Sequence, residues 1–423
     1  MHVGAVLVFE AGPLALRHGG IDIERVRAYT TARLSRSPRS QQRPVESALG
    51  RRRDWVDDPF FDLTYHVRHI ALPRPGDERQ LKRLAARFFS LALDREKPPW
   101  ELMLVEGLDD NRFALIAKVD PALLIGRDGF DPLAALARAT PDEAIAAAPP
   151  IEPRPTPLRV ARTQAIGAAL GHGLRGALNA LERALGSRVE LPLTGPTGPH
   201  RRVEWLALDH TDLRLLGERL GASTQAILLA TLAGALRVFL ARRGLEADDL
   251  VVRALTPVRV GAGEGEIEAP LVVLPLAEPE PRRRLAALNS VLEPTADAGA
   301  ELSVLRDLAS LYSAAASARP ASLCVSSLFA PTPPLFLLGS VLRECIAVAP
   351  LLKGHMLGIS ATHFNGRATL GFNGAAALVA ELPLFADAVA ASFDELRRLT
   401  RGPIHSKGRR ADQSRARNHR AEA

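Results

Sequence analysis

Side chains that could serve as a general base lie in two short segments of the first third of the sequence. His66 and His69 share one extended segment, where a surface histidine or one with satisfied hydrogen bonds is the commoner explanation. Asp120 and Asp128 lie in a strand-to-helix loop, but an unperturbed Asp has a pKa near ~3.9, which makes it a poor general base at neutral pH unless burial raises that pKa. Asp120 also precedes Pro121, which is typical of a turn. The residue types alone therefore assign no catalytic base.

Other patterns that could carry chemistry are weak. Cys324 and Cys345 lie far apart, with no Cys or His at ligand spacing, so neither a disulfide framework nor a metal site is indicated. The glycine-rich residues 261–265 lie between strand-like runs rather than before a helix, which favours a flexible loop over a phosphate cradle. Arginine clusters at residues 51–53 and 282–284 could meet the phosphates of a ligand, although charge runs are more often solvated faces.

The elements around the Asp120 loop can be predicted from apolar periodicity and capping signals. The predicted elements are a buried strand at residues 1–10, a helix at 22–33 capped by Asp22, a polar loop at 35–54, an extended segment at 65–72, a helix after the capping box of Asp77 and Gln80, and a hairpin of strands at 100–106 and 113–119. Asp131 followed by Pro132 supplies an N-cap and a first helical residue, so a helix is expected over residues 133–138. Residues 120–130 therefore form a loop between the hairpin and a new helix.

The order of strands and helices repeats further along the chain, which predicts a mixed α/β protein with two packed halves. The predicted strands there are residues 203–208, 251–257, 323–328, 355–363 and 368–372, and the predicted helices are residues 212–220, 225–243, 282–292 and 388–399. The predicted division is a first half at residues 1–140, a Pro-rich linker with a connecting helix at 141–199, a second half at 200–402 and a basic disordered tail at 403–423.

Charge and composition exclude several classes of protein. Residues 401–423 supply +5 of the net charge of +7, and the nearly neutral remainder has only 5% aromatic residues, which argues against a nucleic-acid binder. The N-terminus has no basic n-region, and the longest apolar stretch, residues 226–241, is shorter than the ~20 residues of a membrane span. We therefore expect a cytoplasmic protein with neither a signal peptide nor a membrane anchor. Attraction of the tail to anionic lipid is the less favoured alternative.

An ordered series of short motifs runs through both halves. The motifs are Met1-His2-Val3-Gly4, Trp55-Val56-Asp57-Asp58-Pro59, Phe61-Asp62-Leu63, His66-Val67-Arg68, Leu72-Pro73, Leu93-Asp94-Arg95 and Pro98-Pro99-Trp100-Glu101, followed by a weaker series of Gly221-Ala222-Ser223-Thr224, Pro257-Val258, Leu274-Pro275 and Phe364-Asn365-Gly366. Their order and spacing resemble the bacterial wax ester synthase/diacylglycerol acyltransferase family. The resemblance implies two chloramphenicol-acetyltransferase-like halves around a channel, with acyl-CoA entering from one side and an alcohol or diacylglycerol from the other. Family members normally begin with a short segment ahead of the Met-His-Val-Gly strand, and either truncation or a misplaced start codon would account for a start at Met1.

The strand-to-helix loop departs from the pattern that the resemblance implies. In the family this loop carries His-His-x-x-x-Asp-Gly, whose second histidine is the general base on the acceptor hydroxyl and whose aspartate supports the site. The corresponding positions here are Asp120, Pro121, Ile125 and Gly126. Pro121 has no proton acceptor on its side chain and no backbone N–H, and Ile125 cannot orient a base. Acyl transfer is therefore expected to be slow, because a positioned base contributes ~10²–10⁴-fold.

Polar positions of the second half also differ from the family pattern. The family's Asn-Asp is Gln225-Ala226, its Val-Pro-Val-Ser-x-Arg is Thr256-Pro257-Val258-Arg259-Val260-Gly261, its Asn-Val-Pro-Gly-Pro is Ser327-Leu328-Phe329-Ala330-Pro331, and its Ser-Tyr-Asn-Gly is His363-Phe364-Asn365-Gly366. Changes at places that would converge on one site are expected of relaxed selection on catalysis. Tolerance of these changes within the family is the other explanation.

Three functions remain open at this stage. The first is an impaired homologue that binds acyl-CoA or lipid, or partners an active acyltransferase, with peripheral contact to a membrane or lipid inclusion. The second is an active acyl-CoA-dependent O-acyltransferase of triacylglycerol or wax ester synthesis that uses a displaced base. The third is a structural protein with a collapsed channel. None of them requires a cofactor, since acyl-CoA enters as substrate or ligand.

Overall fold

The structure of the protein is a computed structural model. It describes residues 2–17, 19–34, 36–46, 53–125, 128–141, 193–259, 267–292, 303–316, 321–329, 334–378 and 380–400. Several predicted features lie outside these residues, namely the connecting helix at 159–185 with most of the linker, the glycine-rich residues 261–265, residues 51 and 52 of the first arginine cluster, and the basic tail.

Strands and helices alternate in both halves, which confirms the predicted mixed α/β class. The strands are β1 (Val3–Glu10), β2 (Gln42–Glu46), β3 (Arg53–Asp57), β4 (Val67–Ala71), β5 (Trp100–Leu108), β6 (Arg112–Val119), β7 (Arg201–Asp209), β8 (Val252–Leu255), β9 (Val258–Arg259), β10 (Ile267–Glu268), β11 (Leu271–Leu274), β12 (Leu323–Phe329), β13 (Phe336–Leu337), β14 (Ser340–Val348), β15 (Leu357–Phe364) and β16 (Arg367–Ala375). The helices are α1 (Ile23–Leu34), α2 (Leu63–His66), α3 (Glu78–Ser90), α4 (Pro121–Leu124), α5 (Pro132–Leu136), α6 (His210–Leu220), α7 (Thr224–Ala241), α8 (Pro281–Asn289), α9 (Val304–Ala316) and α10 (Leu382–Arg398).

The first sheet has the strand order β13-β14-β1-β6-β5-β4, with β1 near its centre. Strand β1 pairs antiparallel with β14 on one side and β6 on the other, and its residues from Val3 to Phe9 are buried. A strand buried on both faces reads as a continuous apolar run, as this one does. One face packs on α1, α5 and α9, while the other packs on α3 and on β7 of the second half.

The second sheet has the order β11-β8-β12-β15-β16-β7, and the large core on one of its faces is closed by α7 and α10. Helix α7 has the length and mean hydropathy (1.6) of a membrane-crossing helix, yet 78% of it is buried inside the protein. Those are the properties of a core helix. Its N-terminus is capped by Ser223, whose hydroxyl accepts a hydrogen bond from the backbone N–H of Ala226.

The second half of the sequence also contributes to the first sheet. Strands β13 and β14 lie between residues 336 and 348, yet β14 pairs with β1 in a register that joins Gly4 to Val348. The two sheets approach closely at this crossover, because a Cβ built on Gly371 of β16 would lie 2.3 Å from the carbonyl oxygen of Ala347 in β14. The halves are therefore joined by a shared strand as well as by packing.

Most predicted elements are confirmed, and the differences have physical reasons. The Asp77 and Gln80 capping box forms at α3, and the predicted hairpin is β5 and β6. The loop predicted at residues 35–54 instead contains β2, which pairs with β3 into a separate two-stranded sheet despite Pro44. Strand β14 was missed because its central residues are charged, and helix α10 begins at Leu382, six positions before the predicted start.

Candidate functional site

The segment in place of the predicted motif forms a capped helical turn rather than an open loop. It follows directly on β6. The Asp120 side chain accepts a hydrogen bond from the backbone N–H of Ala122 (2.9 Å), and Pro121 occupies the first helical position of α4. Asp followed by Pro is a favourable way to begin a helix, because Pro lacks only an N–H that would stay unpaired there. Leu123 and Leu124 anchor the turn in the core.

Beyond Asp120 and Pro121, the motif positions that the structure describes carry no polar side chain. Ile125 follows α4 and is 43% exposed, whereas Gly126 lies outside the described residues. The segment is closed by the backbone N–H of Phe130, which donates to the Leu123 carbonyl oxygen at 2.8 Å. Asp128 is on the surface, where its carboxylate lies 3.7 Å from the Arg39 guanidinium. Asp120 is therefore the only carboxylate at the motif positions that the structure describes.

A cleft of about 620 Å³ lies at the same end of the first sheet, and Asp120 forms part of its wall. The opposite walls come from the β2 strand and from residues 92–96, and an ion pair of 2.7 Å between Arg43 and Glu96 spans them. Because Arg43 already has a carboxylate partner, the cleft is mixed in charge rather than basic. It has room for a small polar group beside the Asp120 carboxylate.

The sequence left His66 as either a surface histidine or one with satisfied hydrogen bonds, and in the structure it is neither, because the ring is buried and Nε2 has no partner among the described residues. It ends α2 rather than lying in an extended strand, and it is fully buried. Its ring is stacked between Phe61 (5.0 Å between centroids) and Trp100 (4.6 Å), and Nδ1 lies 2.7 Å from the Trp100 carbonyl oxygen. Burial lowers the pKa of His66 to about 4, so the ring is neutral at neutral pH. His69, by contrast, is held by Glu106 at 3.1 Å, as predicted for a satisfied histidine.

Trp100 connects the His66 segment to the motif segment. Its indole N–H donates to the Ser40 carbonyl oxygen at 2.7 Å, and its ring meets Phe130 edge to face at 5.8 Å. In the hairpin register Trp100 is directly opposite Val119, the residue before Asp120. The buried indole therefore fixes the position of the strand end from which the motif segment starts.

Two buried ionisable groups support this region, and of the two the sequence had assigned a role only to Asp131, as the N-cap of a helix. Lys118 of β6 is fully buried, with its ammonium 3.3 Å from Glu101 and donating to the Leu91 carbonyl oxygen at 3.0 Å. Burial lowers the pKa of Lys118 while Glu101 raises it. Asp131, the N-cap of α5, accepts from the N–H of Leu133 at 2.9 Å, and burial raises its pKa to about 6. The Lys118–Glu101 pair could have been predicted from the hairpin, because the two residues lie opposite each other in its register.

The changed positions of the second half do not all converge on the motif segment. Leu328 and Phe364 belong to the core that contains Leu123 and Leu124. His363 and Phe329 alternate to the opposite face of the sheet, where their rings stack at 4.4 Å. The predicted convergence on one site is therefore wrong for the His363 and Phe329 positions.

The arginine cluster at residues 282–284 is divided between surface and core. Arg282 and Arg283 are exposed at the start of α8. Arg284 is buried and donates to the carbonyl oxygens of Ala230 and Glu278 at 3.2 Å each. Arg284 therefore holds α7 and α8 together and is not available to the phosphates of CoA.

Comparison with solved structures identifies the class of fold. The chain matches the wax ester synthase/diacylglycerol acyltransferase from Marinobacter aquaeolei over 95% of both chains, with a TM-score of 0.68 at 22% identity. It also matches the first condensation domain of the calcium-dependent antibiotic synthetase, with a TM-score of 0.56 at 17% identity over 95% of this chain and 92% of that one. The protein thus has the two-halved fold of the chloramphenicol-acetyltransferase type.

Sequence comparison identifies the family within that class. The model of the wax ester synthase/diacylglycerol acyltransferase catalytic domain matches residues 1–225, and the model of the C-terminal domain matches residues 276–397. A Mycobacterium tuberculosis protein named as a diacylglycerol O-acyltransferase is 32% identical over 275 residues, and the chain spans only 57% of its length. Another from the same organism is 30% identical over 399 residues, covering 86% of this chain and 87% of the relative. The chain belongs to the wax ester synthase/diacylglycerol acyltransferase family.

Proposed function

We propose that this chain is a family member in which acyl transfer is impaired and which binds acyl-CoA or a neutral lipid, or partners an active acyltransferase. The observation that carries the proposal is the capped turn at Asp120 and Pro121. Pro121 stands where the resemblance places the base, and it can neither accept a proton through its side chain nor donate one from its backbone. Asp120 is already engaged as the cap of α4.

The expected loss can be given a magnitude. A positioned general base supplies ~10²–10⁴-fold of the rate, so a chain that lacks it should transfer acyl groups slower by that factor while keeping whatever binding the scaffold provides. Retention of the scaffold supports binding. Trp100 keeps the strand end in place, and the described residues form two six-stranded sheets.

The test is an acyl-transfer assay on the purified chain of 423 residues. Labelled palmitoyl-CoA is supplied with diacylglycerol or hexadecanol, and neutral lipid formation is compared between the wild type and a Pro121→His, Ile125→Asp variant. We expect little product from the wild type and a gain of activity in the variant. A wild-type rate typical of the family would refute the impairment, and calorimetry showing tight acyl-CoA binding would exclude a purely structural role.

A displaced base is the second candidate, and one observation favours it. The Asp120 carboxylate lines the cleft of about 620 Å³, and only one of its oxygens is used in capping α4. An active enzyme of triacylglycerol or wax ester synthesis could employ the other oxygen. Asp120→Asn keeps the cap acceptor but removes the base, so a rate unchanged by this substitution excludes Asp120 as the displaced base.

We further propose a cytoplasmic protein that contacts a membrane or lipid inclusion from its surface. Phe60 is 78% exposed, and the Lys97 ammonium donates to its backbone carbonyl oxygen at 3.3 Å. An exposed aromatic side chain with a lysine bonded to its backbone suits the boundary between headgroups and acyl chains. Sedimentation with vesicles that contain anionic lipid tests the contact, and Phe60→Ser is expected to weaken it.

A further inference from the structure

The His66 ring has a defined tautomer, because its Nδ1 faces a group that can only accept. The Trp100 carbonyl oxygen at 2.7 Å has no proton to give, so Nδ1 must carry the proton and donate it. Burial lowers the pKa of His66 to about 4, which leaves Nε2 unprotonated at neutral pH. A neutral imidazole held in this way presents a lone pair at Nε2.

This lone pair has no hydrogen-bond donor among the described residues, although the ring is fully buried. Buried polar atoms in folded proteins are nearly always paired, so an unpaired nitrogen here calls for an explanation. The Asp58 carboxylate is in a similar state. Its Oδ1 accepts from the Phe60 N–H at 2.9 Å, while Oδ2 lacks a hydrogen bond and has only the Lys97 ammonium at 3.7 Å. The segment from Asp58 to His66 thus holds two buried acceptors without donors.

The surroundings of the ring suit an amphipathic ligand. Phe61 and Trp100 cover its two faces, and Tyr65 meets it edge to face at 5.1 Å. Phe61 and Tyr65 are only partly buried, so the ring lies one aromatic layer below the surface. Aromatic walls around a small number of polar groups, here Nε2 of His66 and the Asp58 carboxylate, are typical of sites for small organic molecules.

The ring also lies at the end of the first sheet that carries the motif segment. Strand β4, which begins just after His66, runs parallel to β5, and Trp100 at the start of β5 is opposite Val119 at the end of β6. His66 stacks on Trp100, whose ring contacts Phe130 beyond α4. The free acceptor and the Asp120–Pro121 turn are therefore separated by one buried indole.

We propose that Nε2 of His66 accepts a hydrogen bond from an O–H group, so that the Asp58–His66 segment is a hydroxyl-binding site of the first half. The donor is the hydroxyl of a lipid alcohol or a water molecule, two sources of the same chemistry. The alcohol deepens the proposed function by naming the ligand class, and the choice of a lipid rests on that function. The tautomer and the unpaired acceptor do not.

The experiment observes the ring nitrogens directly in the intact protein. Histidine labelled with ¹⁵N is incorporated, and long-range ¹H–¹⁵N spectra are recorded at neutral pH, with the His66 signals identified by their loss in His66→Phe. Decanol is then added as the probe, and decane serves as an apolar match without a hydroxyl. His69→Phe is the control variant, because His69 has a carboxylate partner and lies three residues away.

We expect Nε2 to be unprotonated and its ¹⁵N signal to shift upfield when decanol is added but not when decane is added. His66→Phe, which keeps an aromatic ring in the stack, should weaken decanol binding by about tenfold, the factor supplied by one net hydrogen bond, whereas His69→Phe should not. If the ¹⁵N signal of Nε2 is already upfield in the ligand-free protein and decanol does not change it, the site is supported with water as its donor.

Two results would overturn the inference. One is a ¹⁵N signal showing that Nε2 is protonated. The other is an Nε2 that keeps the chemical shift of a free acceptor in the presence of decanol. Calorimetry with palmitoyl-CoA on the same samples measures acyl-CoA binding, which does not depend on either result for Nε2. A rate of acyl transfer typical of the family, together with a decanol response, would refute the proposed function alone. Impaired transfer with palmitoyl-CoA binding and an Nε2 that stays a free acceptor would refute the hydroxyl site alone.

Discussion

Replacement of Lys118 by Met is the sharpest test of how the first half is held together. The Lys118 ammonium is fully buried and meets the Glu101 carboxylate at 3.3 Å. It also donates to the carbonyl oxygens of Phe88 (3.3 Å) and Leu91 (3.0 Å), at the C-terminus of α3. A lysine at this end satisfies carbonyl groups that a helix leaves unpaired and complements the helix dipole. The side chain therefore links β6, which leads into the motif segment, to α3.

The magnitude follows from what Lys118→Met leaves behind. Glu101 would remain buried with only the Arg68 guanidinium at 3.7 Å, and removal of one partner of a buried pair costs ~3–5 kcal/mol. Because Arg68 still offsets part of the charge, we expect the lower end, about 3 kcal/mol. Addition of Glu101→Gln removes the uncompensated charge and should restore much of this loss.

Urea unfolding followed by tryptophan fluorescence measures both variants. The control is Arg214→Met, since the 2.6 Å pair of Arg214 with Glu218 is more than half exposed and is expected to contribute at most ~0.5 kcal/mol. A loss below ~1 kcal/mol in Lys118→Met would contradict the reasoning, given the cost of a broken buried pair. So would a double variant that is less stable than the single one.

Two further predictions concern the junction of the halves. Burial raises the pKa of Asp131 to about 6, so the native state keeps a proton that the unfolded chain releases near ~3.9. The contribution of this group to stability therefore falls by at most ~3 kcal/mol between pH 4 and pH 6. Urea unfolding at pH 4 and pH 6 measures this fall in stability, and Asp131→Asn should remove it. An equal fall in the variant would show that Asp131 does not cause it. Gly371→Ala would place a Cβ 2.3 Å from the Ala347 carbonyl oxygen, which should cost ~1–3 kcal/mol in thermal unfolding, whereas Gly198→Ala, with no atom within 4 Å, should be nearly neutral. Equal losses in both glycine variants would show that the close approach is not what matters.

Local signals made much of the fold predictable. The cap of α3 requires only Asp77 and Gln80, three residues apart, and the start of α5 requires only Asp131 and Pro132. Strand β14 has no comparable signal. It is defined by pairing with β1, more than 330 residues earlier in the chain, and its buried face cannot be distinguished from a polar segment until that partner is known.

Features of the site that follow from residue type could be predicted from the sequence, whereas features that depend on tertiary contacts could not. The inability of Pro121 to act as a base follows from its structure as an amino acid. The burial of His66 depends on Trp100, 34 residues further on, and on the aromatic ring of Phe61. The partner of Lys118 follows from the hairpin register, which places Glu101 directly opposite it. A polar residue inside an apolar run is therefore informative once its cross-strand neighbour can be assigned.

The residues at the start of the motif segment have a stabilising role of their own. Asp at an N-cap contributes ~0.5–2 kcal/mol relative to Ala, and Pro at the first helical position fixes a backbone angle that the helix needs. A general base has the opposite requirement, because its acceptor must stay unpaired until the substrate arrives. The Asp120 side chain accepts a hydrogen bond from the backbone N–H of Ala122, and the turn is anchored by Leu123 and Leu124. Activity often costs stability at such positions, and this chain has the residues that favour stability. Restoration of histidine at position 121 should therefore lower the stability of α4 in the same variant in which it is expected to raise the rate of acyl transfer.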